Sequence, residues 1–141
     1  MEALDLTTQK PRGPRVKLGG LAFMARTVDK LRAEQPGGKI GVFLNRPDGL
    51  SVVLCKRAGI DMDELRAVVA SAANEAEIAA WIEAKVPAEK HDAINAKLES
   101  MSIERLPPEF QAVVRHVHPV MAKRPELSTF FDIFEADDAE L

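Results

Sequence analysis

PRGPRVKLGGLAFMARTVDKLRA, residues 11–33, is the stretch whose reading decides the fold. Pro11 and Pro14 lock their own φ and push their neighbours away from the helical region, so the chain up to Lys17 reads as extended. Gly19-Gly20 then leads into Leu21, Met24, Val28 and Leu31, an apolar stripe at helical spacing. Pro36-Gly37-Gly38 stops that helix. The pattern predicts an extended basic arm over 1–18, anchored by Leu4 and Leu6, and a first helix within 19–35.

Outward from this segment, helix signals dominate. Asp61 with Glu64 and Asn74 with Glu77 have the spacing of capping boxes. Behind the first come Leu65, Val68, Val69 and Ala72; behind the second come Ile78, Trp81, Ile82 and Val86. Pro87 is placed to open a third helix, with His91, Ile94, Leu98 and Met101 on one side, and Pro107-Pro108 to open a fourth, striped by Phe110, Val113, Val114 and Val117. Pro119 ends or kinks that helix, and a last short one is expected around 127–134. Residues 39–58 support two readings. KIGVFL and LSVVLC form a hairpin around Pro47-Asp48-Gly49, or Asp48 caps a helix that ends at Lys56-Arg57-Ala58-Gly59 with bases in its last turn. A short extended piece at 40–44 followed by a helix is the favoured version. The expected fold class is mainly α: a compact single-domain bundle of about five to six helices, with a short strand or hairpin near 39–55, an irregular or short hairpin/helix segment over 36–60, a helical region over 61–134 and an acidic tail over 135–141.

Composition bounds the function. An apolar fraction of 46 % and a charged fraction of 29 % are those of a globular rather than a disordered chain. No apolar run reaches membrane-spanning length, and MEALDLTTQK lacks the basic-then-apolar layout of a signal peptide. The single cysteine, Cys55, excludes an intramolecular disulfide and a cysteine-only zinc site, and the expected location is cytoplasmic. Charge is unevenly spread: residues 1–32 hold seven Lys/Arg against three acids, whereas the last ten residues hold five acids and no base. A basic arm and an acidic end are candidates to meet each other or to meet separate partners.

LDLT at 4–7, PRGPRVKLGG at 11–20, ARTVDKLRA at 25–33, GID at 59–61, DELRAVVASAANEAEIAAWI at 63–82 and FFDIFEADD at 130–138 together resemble the DUF5069 family of small, mainly bacterial proteins. The resemblance covers nearly the whole chain and implies architecture, not chemistry, since the family has no established function. Many members are expected to carry an aromatic after the paired glycines and a Tyr-rich, Pro-containing stretch before GID. Here Leu21 follows the glycines, KIGVFLNRPDGLSVVLCKRA precedes GID, and there is no tyrosine. If those aromatics serve a shared site, this member has altered it.

Two clusters carry candidate chemistry. Gly19-Gly20 before a helix N-terminus, with Arg12, Arg15 and Lys17 upstream, form a candidate anion site: glycine lets backbone approach a ligand, helix-terminal amides favour negative charge, and guanidinium and ammonium groups add charge-assisted bonds. Arg26, Asp29, Lys30 and Arg32 form a second charge cluster, in which Asp29 can reach one guanidinium on either side along the helix. At 1.5 Å per residue, the bases of that cluster lie roughly 9–18 Å beyond the helix start, so one small anion cannot use both groups. The second cluster therefore reads as structural ion pairs, either along the helix or to another segment such as the acidic tail.

Other chemistries find little support. The glycine pair lacks the P-loop and dinucleotide-binding patterns. His116 and His118 fall on opposite sides of a helix, His91 reads as a hydrogen-bonded, half-buried residue, and no HExxH or CxxC spacing is present, so no metal and no cofactor are expected. The serines lack a nucleophile context, and Cys55 amid Val and Leu reads as core, reactive only if exposed beside Lys56 and Arg57. The arm has no aromatic to stack on bases, which argues against nucleic acid. The favoured function is a non-enzymatic cytoplasmic binding or interaction module whose basic face takes a small anionic ligand or an acidic protein segment. The alternative is an enzyme acting on a small anionic metabolite, with Asp29 as acid or base and Arg15 and Arg26 orienting the substrate. Its discriminator is whether Asp29 faces a pocket with apolar walls. Monomer and homodimer are both open, because Phe23 lies off the apolar stripe and needs other cover, internal or from a second copy.

Overall fold

The computed structural model describes residues 1–43, 46 and 49–141. Among these, the regular structure consists of eight α-helices, two short 3-10 helices (Ala88–Lys90 and Ile103–Arg105) and three isolated β-bridges, the α-helices being α1 (Met24–Glu34), α2 (Leu50–Ala58), α3 (Met62–Ser71), α4 (Glu75–Lys85), α5 (His91–Ser100), α6 (Pro108–Val117), α7 (Val120–Lys123) and α8 (Phe130–Ala139). The fold is all-α, with more helices than the five to six expected. Among the described residues, no helix is long and apolar enough to cross a membrane.

The residues divide into two compact units, Met1–Asn95 and Ala96–Leu141. In the first, α1 packs on α2 and α3, and α3 packs on α4. The stripe predicted from sequence is buried to completion: Leu21, Met24 and Val28 are wholly inaccessible and Leu31 nearly so. Leu54, Leu65, Val69, Ile78 and Ile82 are also fully buried. In the second unit, Ile103, Val120, Met121, Leu127, Ile133 and Ala136 form a cluster against which Leu106, Val114, Phe130 and Phe134 pack. Of the apolar stripe on α6, only Val114 joins this cluster; Phe110, Val113 and Val117 are exposed.

The entry to α1 differs from the expectation of a helix beginning at residue 19. Leu18 and Leu21 exchange both backbone hydrogen bonds, at 3.1 and 3.2 Å, across a two-residue turn. Gly19 and Gly20 supply its positive φ values of 61° and 84°, a geometry that L side chains resist. Phe23 follows with a φ of 68° and marks the helix boundary. Its amide donates to the carbonyl of Pro14 at 2.8 Å, and its own carbonyl accepts from the Thr27 amide and the Thr27 hydroxyl. The Thr27 hydroxyl proton is thereby used, so the Ser51 hydroxyl, 2.9 Å away and buried, is the donor in the contact between α1 and α2. Phe23 itself is buried.

The arm is pinned at its far end as well. Leu6 is buried, and Leu4 and Leu6 exchange backbone bonds with Lys39 around a parallel bridge between Asp5 and Lys39. The extended piece expected at 40–44 is not formed at 40–43: the bridge stops at Lys39, and Gly41, at a φ of 60°, and a Phe43-to-Ile40 bond turn the chain; Leu44 lies outside the described residues. The hairpin over 39–55 is replaced by α2. Its end has the predicted form, with Lys56 and Arg57 in the last turn and Gly59 as a left-handed cap. Its start is marked by Gly49, while the expected Pro47-Asp48 turn and Asp48 cap lie outside the described residues.

Asp61 and Asn74 both cap their helices, but the return bond of a capping box is not made by Glu64 and reaches Ala73 instead of Asn74 from Glu77. The Asp61 side chain accepts from the amide of Asp63, while Glu64 turns to Lys85 on α4. Asn74 accepts from the amide of Glu77, and the Glu77 carboxylate accepts from the amide of Ala73. The last helix starts at Phe130, capped by the Thr129 hydroxyl, and runs to Ala139 through the segment expected as an acidic tail.

A Cβ at Gly20 would lie 2.3 Å from Nδ1 of His91, whereas one at Gly13 would meet nothing within 4 Å. Gly20→Ala is therefore expected to lower stability by about 2–4 kcal/mol through left-handed strain and overpacking, with Gly13→Ala near neutral, both read by urea unfolding. Burial, aided by the charge of Asp61, pushes the Cys55 thiol up to about 11 from its ordinary 9.0. Folding therefore favours the protonated thiol, and that contribution is intact below pH 9 and lost as pH rises toward 11. Cys55 should resist alkylation at pH 8 in the native protein and react once unfolded. The fall in stability between pH 9 and 11 should be steeper in the native sequence than in Cys55→Ala.

Candidate functional site

The site grows from the way the proline-spaced arm meets α1. Asp29 is on the arm-facing side of that helix and only 5 % exposed, so its charge needs a partner. Arg12 supplies it three times over: its backbone amide donates to Oδ2 at 2.8 Å, Nε donates to Oδ2 at 3.1 Å and Nη2 donates to Oδ1 at 3.1 Å. This two-point pairing of guanidinium and carboxylate is geometry that lysine cannot reproduce. Nη2 also contacts Oε1 of Glu75, the first residue of α4, at 2.5 Å. Burial works against the Arg12 charge, but the bonds from Asp29 and Glu75 outweigh it and raise its pKa.

One turn before Asp29, Arg26 is equally buried. Its Nη1 donates to the carbonyl of Arg12 at 3.2 Å, and its guanidinium carbon stands 5.6 Å over the ring of Phe43. Residue 12 is thus held by its amide, its carbonyl and its side chain. One turn after Asp29, Arg32 donates from Nε to the carbonyl of Glu2 at 2.9 Å. Around these contacts opens a cleft of about 360 Å³, lined by the cations Lys10, Arg12 and Arg32, the carboxylates Asp29 and Glu75, and Leu4, Gln9 and Met1.

The match to known families follows the same span of chain. A family model described as Domain of unknown function (DUF5069) matches residues 8–140. The chain belongs to this family. No curated protein matches it. Within this DUF5069 protein, the cleft is built from the arm, α1 and α4; the matched span includes both helices and the arm from residue 8, while Met1 and Leu4 of the lining precede it.

The two clusters marked in the sequence are redistributed. Gly19 is buried, and a Cβ there would sit 2.7 Å from the Ile82 side chain, so the glycine turn serves close packing on α4 and His91. The amides that follow it are engaged: Leu21 donates to Leu18, Ala22 to Oδ1 of Asn95 at 2.9 Å, and Phe23 to Pro14. Arg15 and Lys17 are exposed farther along the arm and do not line the cleft. Lys30 is partly buried on α1, also away from the cleft lining. Asp29 draws its bonds from Arg12 rather than from the neighbours three residues away on its own helix, because the arm brings a fork to a buried carboxylate. Leu21, at the position where an aromatic is expected in the family, is wholly buried.

Sequence reasoning overlooked Glu75, Lys10 and Asn95. Asn95 is buried, and besides the Ala22 amide it reaches the Gly20 carbonyl at 3.0 Å, clamping the turn that launches α1. Its signal was available: a polar residue four after His91, on the side of the helix that buries Ile94 and Leu98. His91 is half-buried and bonded to the carbonyl of Val86, as expected. His118 pairs with Asp137 and stacks obliquely on Phe134, while His116 is exposed. Among the described residues, no three His, Cys, Asp or Glu side chains lie together as a metal site.

A double-mutant cycle of Arg12→Met and Asp29→Asn, followed by urea unfolding, should give a coupling of about 1–3 kcal/mol, because each single change strands a partner. Pairing Arg12→Met with Glu75→Gln should give a coupling below about 1 kcal/mol, as fits a half-exposed contact.

Proposed function

We propose that this protein is a cytoplasmic, non-enzymatic binding module whose Lys10–Arg12–Arg32 cleft holds a carboxylate-bearing ligand, either a small metabolite or acidic side chains of a protein segment. The observation that carries this reading is the convergence of three cations on one open cleft in which the buried acid, Asp29, is already neutralised. The preference for negative charge comes from the remaining excess of bases, and the fixed guanidinium supplies orientation. Arg15 and Lys17, exposed along the same arm, extend its positive character and would aid capture of an anion. No nucleic-acid partner is proposed, since the arm has no aromatic side chain to stack on bases.

The enzymatic reading has less support. Both oxygens of Asp29 are occupied by Arg12, which leaves the carboxylate poorly placed to exchange a proton with a substrate. Arg26 is turned to the Arg12 carbonyl and Phe43, and neither it nor Arg15 lines the cleft. The lining is chiefly charged, unlike the apolar walls common in small-molecule active sites.

Thermal unfolding at low ionic strength, with phosphate, sulfate, nucleotides, succinate and citrate added in turn, tests the proposal. A carboxylate at ten times its Kd stabilises by about 1.4 kcal/mol, a rise of a few degrees. The rise is expected with citrate and succinate, to shrink in Lys10→Ala and Arg32→Ala, and to persist in Arg26→Lys. Absence of any shift across the series would contradict it.

A further inference from the structure

We infer that Glu75 is an internal stand-in for the ligand's carboxylate, holding with one oxygen the outer edge of the Arg12 guanidinium that a bound ligand takes over. The inference rests on the proposed binding role of the cleft and names the chemistry its ligand must carry. A guanidinium offers a carboxylate two donor edges, Nε with Nη2 and Nη1 with Nη2. Asp29 fills the first edge with both oxygens, at 3.1 Å each. The second edge is half used: Oε1 of Glu75 meets Nη2 at 2.5 Å, while Nη1 makes no hydrogen bond or ion pair among the described residues.

The two carboxylates on Arg12 are held differently. The Asp29 side chain is 7 % exposed and receives the Arg12 backbone amide as well, so it is a fixed part of the scaffold. The Glu75 side chain is 40 % exposed and touches Arg12 through one oxygen, a solvent-screened contact that a competing anion can displace. Displacement leaves Glu75 in the first turn of α4, where the helix dipole favours an acid, so its charge is accommodated after release. An incoming carboxylate can use Nη1 and Nη2 together, one bond more than Glu75 makes. Lys10 and Arg32 line the same cleft and call for a second anionic group on the ligand. The chemistry is therefore that of paired carboxylates, carried by a di- or tricarboxylate or by neighbouring acidic side chains of a peptide.

Isothermal titration of the full chain with succinate, citrate and a Glu-rich peptide tests this, using the native sequence, Glu75→Gln and, as a charge-matched control on the exposed surface of α4, Glu83→Gln. The expected result is 3- to 10-fold tighter binding of at least one probe in Glu75→Gln, with Glu83→Gln within 2-fold of the native sequence. The probe that gains most separates a small carboxylate from a peptide as the source. If the native protein binds a probe and Glu75→Gln binds it no tighter, or Glu83→Gln gains as much, the stand-in is overturned while the binding role stands. If neither the native protein nor Glu75→Gln binds any probe, the binding role itself fails and the inference with it.

Discussion

A carboxylate buried on the first helix sets the terms for the first unit. Asp29 is almost inaccessible, and an unpaired charge there would cost several kcal/mol. Arg12 relieves that cost only if the arm lies along α1 in one register, since amide, Nε and Nη2 must all reach the two oxygens. Arg26 then closes on the carbonyl of the same residue. Two bases that look redundant in a net-charge count therefore have distinct tasks, one neutralising an acid and one holding a strand of backbone that belongs to no sheet.

The prolines and glycines of the arm serve the same constraint. Pro11 and Pro14 are buried, and their fixed φ values, with the limits they place on Lys10 and Gly13, stiffen the chain on either side of Arg12. The carbonyl of Pro14 receives the amide of Phe23, so the arm contacts the start of α1 as well as its middle. Between them the chain must reverse, and Gly19-Gly20 make the reversal tight enough to lie against Ile82 and His91. Asn95 satisfies the groups left over, accepting from Ala22 and donating to Gly20. The cleft is what remains open beside this docked arm, with the outer edge of Arg12 at its margin.

How much of this was legible in the sequence follows from the range of each interaction. Periodicity located the helices well, because the stripe Leu21, Met24, Val28 and Leu31 is a local pattern that burial then honours. The caps at Asp61 and Asn74 and the glycine stop at Gly59 were readable for the same reason. The boundary of α1 was not, because the turn at 18–21 and the left-handed Phe23 depend on partners at Pro14 and Asn95. The charge cluster is recognisable as structural ion pairs, along the helix or to another segment, but the sequence does not single out Arg12 as the partner of Asp29. Local spacing offers Asp29 two arginines three residues away, and nothing in it reveals that Arg12, seventeen residues earlier, has the better geometry. Glu75 was invisible because a first-turn acid is what any helix start favours. α6 shows the opposite failure: its apolar stripe is plain, yet three of its four members stay exposed.

The Asp29–Arg12 pairing docks the arm onto α1. Amide hydrogen exchange followed residue by residue tests it most directly. The Arg12 and Phe23 amides, bonded to Asp29 and to Pro14, should exchange as slowly as the interior of α1, and Asp29→Asn should release Arg12 and Phe23 while leaving the helix protected. Rapid exchange at Arg12 in the native protein, or unchanged protection there in Asp29→Asn, would contradict it.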